Sequence, residues 1–177
     1  MANCLAPLVE YLDRLEERAP LDELVARLAE LSIDGDELQE YFQFTPLYYA
    51  RNLIAAGPCY NLLALCWLNG QRSPIHDHIG SSCGVRVVRG TMTETQFRFS
   101  DNGLVVPTIT REFAAGSVIG SEDLDVHQVS NLQAGAADLV TLHVYSPPLR
   151  YMGTYSLTDN ARGQEAMLLE FSDAAGI

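Results

Sequence analysis

Three of the four histidines in this chain have the spacing of a metal site. His76 and His78 stand two apart in the segment RSPIHDHIG, and His127 follows much later in DVHQVSN. Side chains two apart in an extended strand point the same way, so this pair would aim two imidazoles into one cavity. A third imidazole from a neighbouring strand would leave a divalent metal with open coordination positions. That arrangement is typical of a catalytic rather than a structural site.

A second group of polar residues alternates along one predicted strand. Thr141, His143 and Tyr145 fall on one face of it, and Leu142 and Val144 fall on the other. A hydroxyl, an imidazole and a phenol in line could form a hydrogen-bonded relay in which the first two orient the third. The ordinary alternative is a strand whose polar face is simply solvated.

The elements that would position these residues are helices first and strands afterwards. Apolar residues recur at helical spacing over Leu5–Leu15 and Leu21–Leu31, and a short third helix is predicted over Gly35–Phe42. From Tyr48 onward, short apolar or alternating runs are separated by turn signals, and about ten such strands indicate a sandwich or a barrel. The predicted strands are Tyr48–Ile54, Tyr60–Leu68, Ser73–His76, Gly84–Arg89, Met92–Phe99, Thr108–Phe113, Ser117–Ile119, His127–Ser130, Leu139–Tyr145 and Tyr151–Ser156.

Composition and charge limit the class of protein. The 177 residues are 47% hydrophobic and 19% charged, which is ordinary for one globular domain. We expect a single domain over residues 1–177, with a helical part over 1–45 and a β-barrel over 46–177. A net charge of −12 without any basic run argues against nucleic acid or an anionic membrane as a partner. No apolar stretch approaches the length of a membrane span, and the start of the chain lacks the pattern of a signal peptide.

The four cysteines indicate a reducing compartment. Cys4, Cys59, Cys66 and Cys83 include no CxxC pair, and free thiols are the default in a chain without an export signal. We therefore expect a cytoplasmic protein. Cys66 lies inside the apolar run LLALCWL and is expected to be a small buried hydrophobic residue.

The spacing around the paired histidines resembles the first motif of the cupin β-barrels. Gly70 lies ahead of the pair, Cys83 follows it after four residues, and Gly90 comes after six more. In that motif a glutamate usually occupies the position of Cys83. The third histidine, His127, is followed after three residues by Asn131, which resembles the second cupin motif. Without the glutamate, three neutral imidazoles would leave Fe(II) its full charge, ready for an anionic thiolate or dioxygen.

The resemblance becomes specific when all matching segments are taken in order. Over roughly residues 45 to 156 the chain resembles the type I cysteine dioxygenases, which are iron-dependent thiol dioxygenases of the cupin superfamily. The amino-terminal helices match that family only in kind. The matching segments are Tyr49–Leu53, Leu65–Trp67, Ile75–His78, Cys83, Gly90, His127–Val129 and Leu142–Pro148.

The resemblance implies a metal and a substrate clamp. It assigns His76, His78 and His127 as ligands of Fe(II), and it assigns Arg51, with Tyr49 beside it, to the carboxylate of the substrate. A guanidinium fork pairs bidentately with a carboxylate, which a lysine cannot do. Without the resemblance, a surface arginine on a strand edge would be the ordinary interpretation of Arg51.

The resemblance also gives a role to the relay. Tyr145 would direct its hydroxyl toward the bound thiol and dioxygen, held by His143 and Thr141, with Trp67 packed nearby. His143 would then lie behind Tyr145 instead of acting as a fourth ligand. In some members of the family a cysteine sulfur is joined to the ring of this tyrosine as a thioether. Cys83 stands at that position, so we expect a partial Cys83–Tyr145 link, the alternative being a free buried thiol.

Three positions depart from the family pattern. Thr141 replaces the usual serine of the relay, which keeps the hydroxyl and adds a methyl group. Met152 stands at a pocket-wall position where animal members carry cysteine, and Gly153 replaces a neighbouring histidine. A flexible thioether at Met152 changes the shape of the pocket more than its charge.

The implied activity is oxidation of the thiol of L-cysteine to cysteine sulfinic acid by O2, with the substrate bound to iron through sulfur and nitrogen. One alternative is a dioxygenase of another small thiol, such as 3-mercaptopropionate or mercaptosuccinate, although that branch tends to lack an arginine at position 51. A second is a non-catalytic cupin that binds a metal or small ligand. A zinc-dependent sugar isomerase would usually require a glutamate at the position of Cys83.

The residues do not decide which metal is bound, because three imidazoles bind zinc or nickel at least as tightly as iron. They also leave the oligomeric state open, and a monomer is compatible with them.

Overall fold

The structure is a computed structural model that describes residues 2–34 and 37–167, with the side chain of residue 124 excepted. As predicted, helices come first and strands follow. The helical elements are a 3-10 turn at Asn3–Leu5, α1 at Ala6–Leu12, α2 at Leu21–Glu30 and a second 3-10 turn at Gln39–Tyr41. The strands are β1 Ala50–Gly57, β2 Tyr60–Trp67, β3 Ile75–Arg89, β4 Thr91–Phe99, β5 Val105–Ala114, β6 Val118–Ser130, β7 Leu139–Ser146, β8 Tyr151–Tyr155 and β9 Arg162–Ala166.

Two pairs of predicted strands are continuous in the structure. Ser73–His76 and Gly84–Arg89 were predicted as separate strands, but the long strand β3 spans both regions, and its register shifts twice around the histidine pair. Ser117–Ile119 and His127–Ser130 likewise belong to the single strand β6. The polar segments between the apolar runs look like turns in the sequence, so each long strand was predicted as two. A bulge bends a strand without ending its ladder, and the strand therefore continues through such a segment.

Two further elements differ from the prediction. The third helix, predicted over Gly35–Phe42, is reduced to the 3-10 turn Gln39–Tyr41, and Gly35 and Asp36 lie outside the described residues. Strand β9, Arg162–Ala166, has no predicted counterpart because its sequence RGQEA carries no apolar alternation. This strand is held by its ladder with β8. The assignment of residues 1–177 to one domain stays a prediction.

The nine strands of the described residues belong to one hydrogen-bonded sheet. Their order is β1-β2-β7-β3-β6-β4-β5, and β8 pairs with both β3 and β9. Strand β3 is antiparallel to β6, β7 and β8. Strands β6 and β8 both pair with it at His76, whereas β7 pairs with its later part from Ser82 onward. The predicted fold class, a mainly β cupin barrel preceded by helices, is confirmed.

Strands β2 and β7 separate two apolar cores. Leu62 and Val144 pack with the amino-terminal helices, whereas Leu63 and Tyr145 belong to a second core inside the barrel. Alternation along a strand sends neighbouring side chains to opposite sides. Every residue of β7 is buried, so the alternative of a solvated polar face on this strand is wrong.

Helix α2 packs closely against the outer side of β3 and β6. A Cβ atom added at Gly84 would lie 2.6 Å from Leu28 Cδ1, and one at Gly120 would lie 2.8 Å from Leu21 Cδ1. Glycine is therefore what lets the helix approach these two strands. Leu24 and Leu28 are fully buried, and burial of each such side chain contributes about 1.5–3 kcal/mol. The helix thereby supports the strands that carry the histidines.

Two expectations drawn from composition can be compared with the structure. No helix within residues 2–34 and 37–167 combines the length and apolarity that a membrane crossing requires. Cys4, Cys59, Cys66 and Cys83 are all free thiols, and Cys66 is fully buried as predicted. It packs with Ala50 and the other apolar residues of a small third core.

Candidate metal centre

Strand pairing brings the three predicted metal ligands together. His76 lies directly opposite His127 in the β3–β6 ladder, and His78 follows on the same strand as His76. One ligand atom from each of the three lies within 4.8 Å of the other two. All three rings are buried, with centroids 4.7 to 4.9 Å apart. This cluster could hold one metal ion.

Two of the imidazoles are oriented by oxygen atoms on their Nδ1 side. His76 Nδ1 lies 3.0 Å from the carbonyl oxygen of Pro74, and His78 Nδ1 lies 3.1 Å from Ser121 Oγ. A partner on one ring nitrogen fixes the tautomer and the direction of the ring. The Nε2 atoms of His76 and His78 are thereby left for a metal.

The third imidazole has a buried carboxylate behind it. His127 Nδ1 lies 2.8 Å from Glu94 Oε1, and both side chains are about 95% shielded from solvent. His127 Nε2 is buried and has no hydrogen-bond partner among the described residues. A buried polar atom without a partner is rare because it costs free energy, and a metal ion at this nitrogen would remove that cost. The residues therefore fit a metal ion.

Burial sets the charge of the two β3 histidines. It lowers the pKa of His76 well below the ordinary value, and the neighbouring His127 adds to this effect. Burial likewise lowers the pKa of His78, with His76 adding to it. Both rings are neutral at neutral pH, which is the form that binds a metal.

The polar residues of β7 form a chain of contacts that ends near the histidines. Trp67 Nε1 donates to Thr141 Oγ1 at 3.1 Å, Thr141 Oγ1 lies 2.9 Å from His143 Nε2, and His143 Nδ1 lies 3.4 Å from Tyr145 Oη. Thr141 accepts from the indole and can give its own proton to His143 Nε2, which leaves Nδ1–H to donate to Tyr145. The phenol proton of Tyr145 is then free for another acceptor. The ring centroid of Tyr145 lies 5.6 Å from that of His78.

The imidazole and the phenol of this relay are both uncharged. Burial, with a contribution from His127, lowers the pKa of His143 to about 3. Burial, with a contribution from Cys83, raises the pKa of Tyr145 well above its ordinary value. The relay is therefore a neutral imidazole behind a neutral phenol over the ordinary range of pH.

Cys83 lies beside Tyr145, as the resemblance implies. The two residues are direct partners in the β3–β7 register, and such partners have Cβ atoms about 4.5–5.5 Å apart. Cys83 Sγ also lies 4.0 Å from His143 Nδ1. Burial raises the pKa of the Cys83 thiol to about 12, so it is not ionised near neutral pH.

The predicted substrate clamp is buried. Arg51 is 8% exposed, its Nη2 donates to Tyr49 Oη, and its Cζ lies 4.9 Å from the centroid of the Tyr49 ring. Tyr49 in turn stacks on Trp67, with centroids 4.0 Å apart and an interplanar angle of 10°. The alternative of a surface arginine is wrong, since the guanidinium is held by an aromatic stack inside the barrel.

The two departures on β8 affect the same interior. Met152 is buried in one apolar cluster with Tyr49, Cys83 and Tyr145. The backbone N–H of Gly153 donates to Asp77 Oδ1 at 3.1 Å, and a Cβ atom at Gly153 would lie 2.6 Å from Asp77 Oδ2. A histidine at position 153 would require Asp77 to move. The observed position of the Asp77 side chain therefore depends on a glycine at 153.

Comparison with known proteins agrees with this geometry. The family model for cysteine dioxygenase type I matches residues 1–158. The chain belongs to this family. It is 32% identical over 152 residues to the cysteine dioxygenase type 1 of Homo sapiens, covering 81% of this chain and 74% of that protein. The mouse protein of the same name is 31% identical over the same shares.

Solved structures show a likeness of fold alone. A crystal structure from Bacillus halodurans overlays with a TM-score of 0.52 at 16% identity, covering 81% of this chain and 91% of that one. An RmlC-like cupin protein from Desulfovibrio desulfuricans overlays with a TM-score of 0.45 at 21% identity, covering 66% of this chain and 99% of that one.

As a member of the cysteine dioxygenase family, the present protein is an enzyme, a thiol dioxygenase of cupin fold. The family implies a metal cofactor, for which the three histidines provide a site.

The residues behind the ligands were missed by sequence analysis. Glu94 shares the predicted strand Met92–Phe99 with buried Met92, two positions away, so alternation could have indicated an inward carboxylate. Ser121 and the Pro74 carbonyl carried no such signal, because their contacts depend on the register of β3 and β6.

We predict that Glu94→Gln weakens metal binding by about 10- to 100-fold. The carboxylate orients the His127 ring and makes its other nitrogen a more basic metal ligand. The measurement is titration of the metal-free protein with Fe(II) or Zn(II) in competition with a chelator. Glu112→Gln, at an exposed position on β5, is the matched control for loss of one negative charge. Equal affinity of the wild type and Glu94→Gln would contradict a supporting role for Glu94.

We also predict a pH dependence of stability that arises from His143. Its folded pKa of about 3 lies below the unfolded value of 6.5, so the unfolded chain binds the proton first as pH falls. The free energy of unfolding should therefore decrease between about pH 8 and about pH 5 by about 2 kcal/mol more in the wild type than in His143→Gln. Urea unfolding of both proteins at several pH values measures this difference. Parallel curves would show that His143 titrates alike in both states.

Proposed function

We propose that this protein is a non-haem Fe(II)-dependent dioxygenase that converts L-cysteine to cysteine sulfinic acid. The reaction inserts both atoms of O2: the O–O bond breaks, two S–O bonds form, and the thiol releases its proton. The single observation that carries the proposal is the buried Arg51–Tyr49 pair in the same interior as three imidazoles. A carboxylate anchor and an open metal site together suit a small thiol acid.

His76, His78 and His127 would hold the ion. Three imidazoles without a protein carboxylate keep the charge of the metal undiminished, and they leave coordination positions free. When bound, Fe(II) supplies a Lewis acid and a redox centre for the thiolate and dioxygen. The buried, unpartnered Nε2 of His127 supports the assignment of this residue as a ligand.

Arg51 would anchor the carboxylate of the substrate. The guanidinium is buried, and a charge-assisted hydrogen bond there is stronger than in water. Tyr49 accepts one of its N–H groups, and the ring of Trp67 supports Tyr49 from behind, so the fork has one preferred direction. Fixing the substrate at its carboxylate would restrict where its thiol can lie, which reduces the entropic part of the barrier.

Tyr145 would provide a directed hydrogen bond from a phenol that stays protonated. If Thr141 fixes the tautomer of His143 and His143 donates to the phenol oxygen, the phenol proton would be left for a group in the cavity. A donor positioned in advance stabilises negative charge as it develops on the reacting oxygen and sulfur atoms. Met152 would form part of the apolar wall of the pocket.

A dioxygenase of another small thiol, 3-mercaptopropionate or mercaptosuccinate, is the second candidate, because these thiols also carry a carboxylate that Arg51 could bind. An arginine at position 51 favours L-cysteine between them, since the resemblance gives the other branch no arginine there. The non-catalytic cupin is disfavoured by the open three-histidine set and the ordered relay.

The cytoplasmic location and the monomeric state of the protein stay predictions.

We predict that Arg51→Ala lowers kcat/KM for L-cysteine by about 100-fold, because one partner of a buried charge pair is lost. Oxygen consumption and sulfinate formation by the iron-loaded protein, with L-cysteine and 3-mercaptopropionate, measure this. Arg14→Ala is the control, since Arg14 is exposed. Undiminished cysteine turnover by Arg51→Ala would refute the clamp. An iron-loaded wild type inert toward every thiol would favour the non-catalytic cupin.

We further predict that Cys83 and Tyr145 become partly joined by a thioether during turnover with iron and O2. The thiol hydrogen and one ring hydrogen are lost, a C–S bond forms, and O2 accepts the two electrons and two protons. The wild type should give two bands on a denaturing gel and a species lighter by two hydrogen atoms. Cys83→Ser and Tyr145→Phe should give one band, while the control Cys66→Ser keeps both. A single band for the wild type, at full mass, would mean that Cys83 stays a free thiol.

A further inference from the structure

Arg51 faces a carboxylate of its own chain. Glu165 Oε1 lies 3.8 Å from Arg51 Nη2, which is within the range of an ion pair but beyond a hydrogen bond. The Arg51 side chain is 9% exposed and that of Glu165 is 49% exposed. The pair therefore joins a fixed, buried cation to an anion that has direct access to water.

The strand register explains why Glu165 is there. In the β8–β9 ladder Glu165 is the direct partner of Met152, and such partners lie on the same face of a sheet. Met152 is buried in the apolar cluster that contains Tyr49, next to Arg51. The β8–β9 pair thus brings Glu165 to the mouth of the clamp.

Arg51 keeps donors available for a substrate despite this neighbour. Its Nη2 donates to Tyr49 Oη, and no described hydrogen bond joins it to Glu165. A guanidinium has five N–H groups, so a bidentate edge remains for a second carboxylate. Two carboxylates held at one guanidinium would repel each other, because the charge of Arg51 balances only one of them. The half-exposed one is the one able to turn into water.

We propose that Glu165 is the internal counter-ion of Arg51, which the substrate carboxylate must displace, so that Glu165 weakens the binding of thiols carrying a carboxylate. This inference rests on the proposed function of Arg51 as the substrate clamp. Without substrate, Glu165 balances a buried charge. In the complex, the substrate carboxylate takes over that task. A thiol without a carboxylate leaves the ion pair as it is.

The test compares Glu165→Gln with the wild type in anaerobic calorimetry of the iron-loaded protein. The probes are L-cysteine, 3-mercaptopropionate and cysteamine, which lacks a carboxylate. We expect the Kd to fall by roughly two- to fivefold for the first two, as for a partly exposed ion pair, and to stay constant for cysteamine. Glu112→Gln, with the same change of charge on exposed β5, should leave all three Kd values unchanged.

A double variant decides whether the effect passes through Arg51. In the Arg51→Ala background, adding Glu165→Gln should give no further change in the Kd of either carboxylate thiol. Glu165→Asp, which keeps the charge, should retain wild-type affinities within about twofold. An equal change for all three thiols, or no change for any of them, would overturn the inference.

The outcomes separate this inference from the proposed function. If Arg51→Ala leaves the Kd of both carboxylate thiols unchanged, the clamp fails and the role of Glu165 fails with it. If Arg51→Ala weakens their binding but Glu165→Gln has no effect, the counter-ion inference alone fails. Sulfinate formation by the wild type is measured separately under O2. Its absence, with the predicted Kd changes present, would refute the activity and leave the inference standing.

Discussion

The burial of three imidazole rings between two paired strands is the constraint on which the rest of this structure depends. Each ring has one nitrogen held by a fixed oxygen, and the buried Nε2 of His127 has no protein partner. Such a cluster is costly in an apolar interior unless a cation joins the nitrogens. The barrel is consequently organised around a point that favours a positive ion.

The same strands serve the site on one face and the apolar core on the other. On β7, Thr141, His143 and Tyr145 face the interior, while Leu142 and Val144 pack under the helices. Site and scaffold therefore share one backbone, so a shift of β7 by one residue would remove both at once.

Charged side chains in the interior are held by polar partners. The buried carboxylate of Glu94 lies against the His127 imidazole, and that of Asp77 accepts hydrogen bonds from Gly153 N and Tyr155 Oη. The buried cation Arg51 has the carboxylate of Glu165 nearby. A buried ion without a partner is strongly unfavourable. Under the proposed clamp, the carboxylate of a substrate would take the place of Glu165 as the partner of Arg51.

The sequence determined the histidines, the alternating relay and the helical start of the chain, because these follow from local periodicity and from motifs in fixed order. His76 and His78 are two residues apart, so any extended strand brings them to one face. The tertiary structure alone decided that Glu94 lies behind His127 and that Glu165 lies near Arg51. These contacts join residues 33 and 114 positions apart, and they depend on bulges and on the register of β3–β6, β4–β6 and β8–β9. Register describes how two paired strands are aligned, so the local pattern of either strand alone does not reveal it.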